Sequence, residues 1–248
     1  MNNTLVKGLQ LLEYLARSEE ALGVTELAVA LDLGKSNVHR LLQALVDLGY
    51  VQKKNDVRGT YQASLKLWEL GTALEGRLPI KSAAREAMEQ LLGTTRETVH
   101  LSMLDGDQVV YIHKLDSPEP VRAYSEVGGR APAYCVATGK AILAWQNAAY
   151  LRDLSQRLVQ HTPKTITKAD AFLKELESIR KNGFAVNRGE WRETVWGIAA
   201  PIFSTDGVVL AAIGISGPSL RIKPPMIKRL AKDVQSAAEA VAAKLARD

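Results

Sequence analysis

The sequence predicts an α+β protein: an N-terminal winged helix-turn-helix, a linker helix, and a larger domain of mixed helices and strands. Three observations predict it. Residues 24–48 read as two short helices around a turn at Asp32-Leu33-Gly34, followed at once by a basic strand–turn–strand. Residues 65–79 read as a further helix with one bare apolar side. Beyond residue 80, strands paired about Asp105-Gly106-Asp107 and Thr205-Asp206-Gly207 are interspersed with helical stretches, the pattern of an α+β layer domain. The expected boundaries are 1–64, 65–79 and 80–248, in a chain of 248 residues that is comfortable for two domains.

Taken in order, residues 4–17 form an amphipathic helix with Leu5, Leu9, Leu11, Leu12, Tyr14 and Leu15 as its apolar stripe. After a connector at 19–23, Thr25 is placed to cap a helix running to Leu31. Gly34 permits the tight turn, and Ser36 can cap the helix over 35–48. In that helix Val38, Leu41, Leu42, Leu45 and Val46 recur at the spacing of a buried face. Residues 50–54 alternate as a strand, 55–59 turn, and 60–63 return as its partner. Leu65, Leu67, Trp68, Leu70 and Leu74 then mark the linker helix, whose apolar side seeks a partner.

The second domain begins near Leu78-Pro79-Ile80 with a helix over 83–92. Strands are expected at 99–104, 109–114, 122–126, 184–187, 195–203 and 208–216, and helices at 138–145, 148–159, 168–181 and 224–246. There is no internal repeat and no low-complexity tract.

Composition narrows the class. A hydrophobic content of 46% supports real cores. One cysteine, Cys135, rules out an intramolecular disulfide framework and suits a reducing cytoplasm. No apolar run approaches the roughly 18 residues needed to cross a bilayer, and Lys7 and Glu13 interrupt any signal-peptide core, so a soluble cytoplasmic protein without membrane partners is expected.

The net charge of +5 says little about nucleic acid, because residues 1–80 hold nine basic and nine acidic side chains. The local pattern is more informative. The second helix turns Lys35, Ser36, Asn37, His39, Arg40 and Gln43 away from its aliphatic face, as a helix entering the major groove does. Asn37, Arg40 and Gln43 can make paired hydrogen bonds to base edges. Lys53, Lys54 and Arg58 on the wing suit phosphate or the minor groove, and Thr25 and Ser36 suit phosphates at helix starts. Double-stranded operator DNA is the expected partner. A winged helix used only for protein contacts is the rival reading.

Elsewhere the chemistry is sparser. Gly139-Lys140 lacks the upstream glycine and downstream hydroxyl of a phosphate loop, leaving a small-residue loop entering a helix, which favours an anion such as a carboxylate or is simply tight packing. His39, His100, His113 and His161 form no metal-ligand pair at helical spacing and none is tied to Cys135, so no metal, cofactor or catalytic set is expected and Cys135 reads as a buried thiol. Glu190 and Glu193, three residues apart, can suggest acid–base chemistry, but a solvated loop paired to Arg188 and Arg192 is the commoner outcome. An enzyme acting on a small acid through Cys135 or Glu190 and Glu193 is therefore the alternative function.

These pieces together resemble the isocitrate-lyase-regulator (IclR) family of bacterial transcription factors over nearly the whole chain. The resemblance rests on the 5–12 opening, the winged helix at 24–63, Pro132 with Ala137-Thr-Gly-Lys-Ala141, the Gly183–Glu190 segment, Gly197-Ile-Ala-Ala-Pro-Ile-Phe203 and Ala212-Ile-Gly-Ile-Ser-Gly-Pro218. It implies a GAF-like C-terminal domain that senses a small organic or aromatic acid, and homodimers often assembled into tetramers. It also places the effector site at Ala137, Thr138 and Gly139, near Glu190 and Glu193, at Pro201, and at Gly214 and Ser216. Relatives carry a cysteine at Pro201 and a serine at Gly214. Their replacement here points away from a very small keto acid and towards a larger, partly apolar one, with Tyr134, Trp191 or Trp196 as walls.

Overall fold

The computed structural model describes residues 3–55 and 59–247 and divides into two units, Met1–Leu78 and Pro79–Asp248. The wing turn expected at 55–59, and Arg58 with it, falls largely outside the described residues.

The first unit runs α1 (Asn3–Arg17), α2 (Val24–Ala30), α3 (Lys35–Asp47), β1 (Val51–Lys53), β2 (Tyr61–Ala63) and α4 (Lys66–Glu75). Its core is made where the helical stripes converge: Leu11, Leu12 and Leu15 from α1, Leu27 and Ala28 from α2, Val38, Leu41 and Leu42 from α3, with Val51 and Tyr61 from the wing. The other expected α1 stripe residues, Leu5, Leu9 and Tyr14, are exposed instead. β1 and β2 pair antiparallel with Gln52 opposite Gln62. Leu22 adds a bridge to Tyr61 through two backbone hydrogen bonds of 2.9 and 2.8 Å.

Two helix starts differ from expectation. Gly23, not Thr25, caps α2, because the Glu26 carboxylate reaches back to the Gly23 N–H at 2.6 Å, and that reach fixes the cap three residues before the glutamate. Thr25 thus sits inside the first turn. Gly34, not Ser36, caps α3, and no side chain satisfies the first amides there. Nor does Gly34 make the tight turn. Asp32 takes the left-handed conformation, φ 51°, which its short polar side chain tolerates, while Gly34 is extended.

The second unit runs α5 (Pro79–Thr95), β3 (Thr98–Asp105), β4 (Gln108–Leu115), β5 (Arg130–Pro132), α6 (Ala137–Leu143), α7 (Ala148–Ser155), α8 (Ala169–Asn182), β6 (Ala185–Arg188), β7 (Val195–Phe203), β8 (Val209–Pro218) and α9 (Ile227–Leu245). Six strands form one antiparallel sheet in the order β5-β4-β3-β8-β7-β6. Strand alternation then builds two cores. Val99 and Leu101, Ile198, Ala200 and Ile202, and Ala211, Ile213 and Ile215 face α5 and α9. Val109, Ala185, Ala199 and Ala212 face α6, α7 and α8, where Phe172 and Leu176 are buried. Gly183 ends α8 in the left-handed conformation at φ 75° and returns the chain into β6.

The strand expected over 122–126 does not form. Tyr111 of β4 already exchanges backbone hydrogen bonds with Gly128 and Gly129, at 2.8 and 3.0 Å, and the pairing continues through Arg130–Pro132. That leaves 122–126 without a free edge, and the segment crosses the end of the sheet.

Candidate functional site

In the first unit the polar residues singled out on α3 present one face. Lys35, Ser36, His39, Arg40 and Gln43 are exposed, and Asn37 is half-buried. Two pairs are already oriented: Arg40 donates from Nη2 to Asn37 Oδ1 at 3.3 Å, and Gln43 donates from Nε2 to Asp47 Oδ1 at 2.8 Å. Lys53 and Lys54 are exposed on the wing, and Thr25 is exposed on α2. Sequence reasoning missed Lys66. Its ammonium donates to Leu48 O at 2.7 Å and lies 4.6 Å from the centre of the Tyr50 ring, so the first residue of α4 holds the carbonyl that caps α3.

In the second unit a cavity of about 220 Å³ opens at one end of the sheet. His100 of β3, Tyr111 of β4 and Ser216 of β8 form its floor, and Ala137 and Thr138 at the start of α6 close one side. The 122–126 crossing supplies Tyr124 and Ser125. β6 supplies Asn187, and the turn after it supplies Trp191 and Arg192.

The floor is polar but uncharged. His100 Nε2 lies 2.7 Å from Ser216 Oγ, and its ring centre is 4.9 Å from that of Tyr111. Burial and the nearby Lys114 push His100 down to about 4, against Asp116. Burial pushes the Tyr111 phenol up to about 12, against Arg192. At neutral pH both are neutral hydrogen-bonding groups. The charged lining residues are Arg192, Arg130 and Glu126, whose carboxylate accepts from the Tyr124 hydroxyl; Arg192 stacks 5.4 Å over Trp191 and has no carboxylate partner among the described residues. Arg130 is already paired with Asp105.

The residues that the family resemblance implied are only partly gathered there. Ala137, Thr138 and Ser216 line the cavity, as does the expected wall Trp191. Gly139 and Gly214 do not; they mark close packing. A Cβ on Gly139 would lie 2.5 Å from Ala133 Cα, and one on Gly214 would lie 2.6 Å from both Ala199 Cβ and Ile198 O. Tyr134 stands behind the wall, bonding through its hydroxyl to Val159 and His161, and the His161 ring meets Trp191 edge-on at 4.5 Å. Trp196 packs against the α5–α9 core, and Pro201 lines a separate shallow groove beside α9. Glu193 is exposed. Glu190 is not in a solvated loop: it is buried, 2.8 Å from Lys140 Nζ.

His100, Tyr111, Tyr124, Asn187 and Arg192 line the cavity, and the sequence singles out none of them as an effector residue. His100 and Tyr111 look like routine strand residues until the bulge and register of β3 bring them beneath α6. Cys135 is fully buried beside Lys140 and Glu190, and burial followed by the Glu190 charge pushes its thiol up to about 12. No cluster of three potential metal ligands exists among the described residues. No described helix is long and apolar enough to cross a membrane.

The comparisons with known proteins agree along the chain. The IclR helix-turn-helix domain matches residues 4–54, and the bacterial transcriptional regulator IclR C-terminal domain matches 72–243. The HTH-type transcriptional regulator KdgR of Escherichia coli K12 is 34% identical over 98% of this chain and 92% of its own length. Thermotoga maritima IclR has the same fold, with a TM-score of 0.79 at 30% identity, covering 99% of this chain and 100% of that one. An IclR homologue from Microbacterium hydrocarbonoxydans, solved as a complex with 4-hydroxybenzoate, superposes with a TM-score of 0.84 at 23% identity over 99% of this chain and 100% of that one. With a winged helix presenting an exposed polar face and a cavity of about 220 Å³ in a mixed helix–sheet unit, this chain belongs to the IclR family of bacterial transcriptional regulators.

Proposed function

We propose that the cavity binds a small organic acid carrying a second polar group, aromatic acids included, and that its occupation changes operator affinity. The observation that carries this reading is the Arg192 guanidinium, without a carboxylate partner among the described residues, at the rim above a floor of neutral hydrogen-bonding groups, His100, Ser216 and Tyr111. A carboxylate satisfies the first and a hydroxyl or carbonyl the second. 4-Hydroxybenzoate, bound by the M. hydrocarbonoxydans homologue, has both groups. The smaller polar count at Pro201 and Gly214 does not bear on this choice, because neither residue reaches the cavity.

The regulator works in the cytoplasm as a homodimer, or a tetramer built from dimers, on double-stranded operator DNA. Ligand binding shifts the balance between two states that differ in operator affinity. Domains 1–64, 65–79 and 80–248 serve as reader, linker and sensor. A thermal-shift titration with 4-hydroxybenzoate and related hydroxy acids should raise the melting temperature of the wild type and not of Arg192→Ala. Equal stabilisation of both would remove Arg192 from the site. Arg40→Ala should weaken specific operator binding by about 1–3 kcal/mol, read by fluorescence anisotropy at fixed salt; unchanged affinity would overturn its role as a base reader.

The enzyme alternative has little geometric support. Cys135 is a buried neutral thiol outside the cavity, Glu190 is held in an ion pair, and Glu193 points to solvent, so the three do not form a catalytic set.

A further inference from the structure

Lys140 is fully buried, at 0% exposure. It leaves α6 just after the cavity-lining Ala137 and Thr138, and its ammonium meets Glu190 Oε1 at 2.8 Å and Glu175 Oε1 of α8 at 2.9 Å. Glu190 in turn lies in the turn that follows Asn187 of β6 and carries Trp191 and Arg192 into the cavity. The ion pair therefore joins the two opposite walls of the cavity from behind.

That turn has its backbone satisfied without the pair. Asn187 Oδ1 accepts from the N–H groups of Gly189 and Glu190, each at 2.9 Å. The hydroxyls of Thr162 and Thr165 donate to the carbonyls of Gly189 and Glu190, each at 2.7 Å. An apolar pair of similar volume generally holds a core at least as well as a buried ion pair does, so stability alone gives little reason for these charges. What the charges add is a fixed direction between α6 and the turn. Glu190 Oε2 makes no hydrogen bond among the described residues, so its carboxylate is held through Oε1, by Lys140 and by the Arg188 N–H at 3.4 Å. Any change in the separation of the two walls must stretch the Lys140 bond.

We infer that Glu190 and Lys140 are positioning residues of the effector site: without touching ligand, their buried pair sets where Trp191 and Arg192 stand opposite Thr138, and so sets ligand affinity. The inference rests on the reading that this cavity binds an acid, but its first test does not require a ligand.

Removing one partner strands a buried charge, and Lys140→Met alone is expected to destabilise the fold. The double variant Lys140→Met/Glu190→Gln removes the two buried charges at nearly constant volume and leaves Glu175, whose side chain is 27% exposed, to solvent, so it should melt close to the wild type. The full chain, labelled with 5-fluorotryptophan, gives four fluorine resonances from its four tryptophans. The Trp191 resonance is assigned by its loss in Trp191→Phe. In the double variant that resonance should shift or broaden while those of Trp68 and Trp145 stay in place. A Trp191 resonance that does not move in a folded double variant overturns the inference, whatever the ligand.

Calorimetric titration with 4-hydroxybenzoate supplies the second arm. Wild-type binding with at least a tenfold loss in the double variant supports the positioning role, and equal affinity in both overturns it. Wild type that does not bind this acid counts against the proposed ligand class, and the fluorine spectrum then decides the positioning role by itself.

Discussion

His100 carries a cost that depends on pH. The native imidazole is pushed from an ordinary value of 6.5 to about 4, chiefly by burial. In the unfolded chain it takes up a proton below pH 6.5, and in the native state only near pH 4. The stability it contributes is therefore complete above pH 6.5 and is lost progressively as the pH falls through that window. A tenfold difference in proton affinity between the two states is worth about 1.4 kcal/mol, so this one residue should account for roughly 2 kcal/mol of the difference between pH 7 and pH 5. Urea unfolding at the two pH values should show a smaller difference for His100→Gln than for the wild type. An equal difference would mean that His100 keeps its ordinary proton affinity in the native protein. The residues proposed to meet DNA are of another kind: Lys35, Arg40 and Lys53 are exposed, so exchanging them should leave stability nearly unchanged while altering operator binding.

The sensor sheet depends on the close seating of α6, and this shows which parts of the molecule were legible in the chain. Gly139 faces the Ala133 backbone and Gly214 faces Ala199, so both sit where small residues let helix and strand approach. Gly139→Ala should lower stability by about 1–3 kcal/mol, and Gly214→Ser should do likewise instead of adding a ligand contact. A fall in the urea midpoint checks each. Periodicity made the helices and long strands legible because burial of one face is written directly into residue spacing, as at Val38, Leu41 and Leu42, or at Ile198, Ala200 and Ile202. The exposed polar face of α3 followed from the same stripe. The cavity did not, because it is assembled from single residues on β3, β4, β8 and two loops, and only register brings those together. The strand expected at 122–126 failed for the same reason: its alternation is real, but the β4 edge it needed was already taken. The buried Lys140 is the clearest omission, since a lysine in a helix start reads as solvent-facing until a carboxylate 50 residues away is seen beside it.

At the scale of the whole molecule, each unit has its own core, and Gly76 and Arg77 between α4 and α5 are exposed. Limited trypsin digestion should cut after Arg77 and leave a fragment beginning at Leu78 that still unfolds cooperatively and still gains melting temperature with a bound acid, but no longer retards operator DNA. Failure of that fragment to fold would show that the sensor unit depends on the winged helix for stability. α4 buries none of its own residues, and its apolar side is bare, with Leu65 80% and Trp68 71% exposed. Yet at its first turn the same helix is fastened to the recognition helix: Lys66 grips Leu48 O, and Ser64 Oγ donates to Gly49 O at 2.5 Å. α4 is in effect a handle bolted to the tool. Fastened at one end only, α4 should turn together with the end of α3, not independently of it.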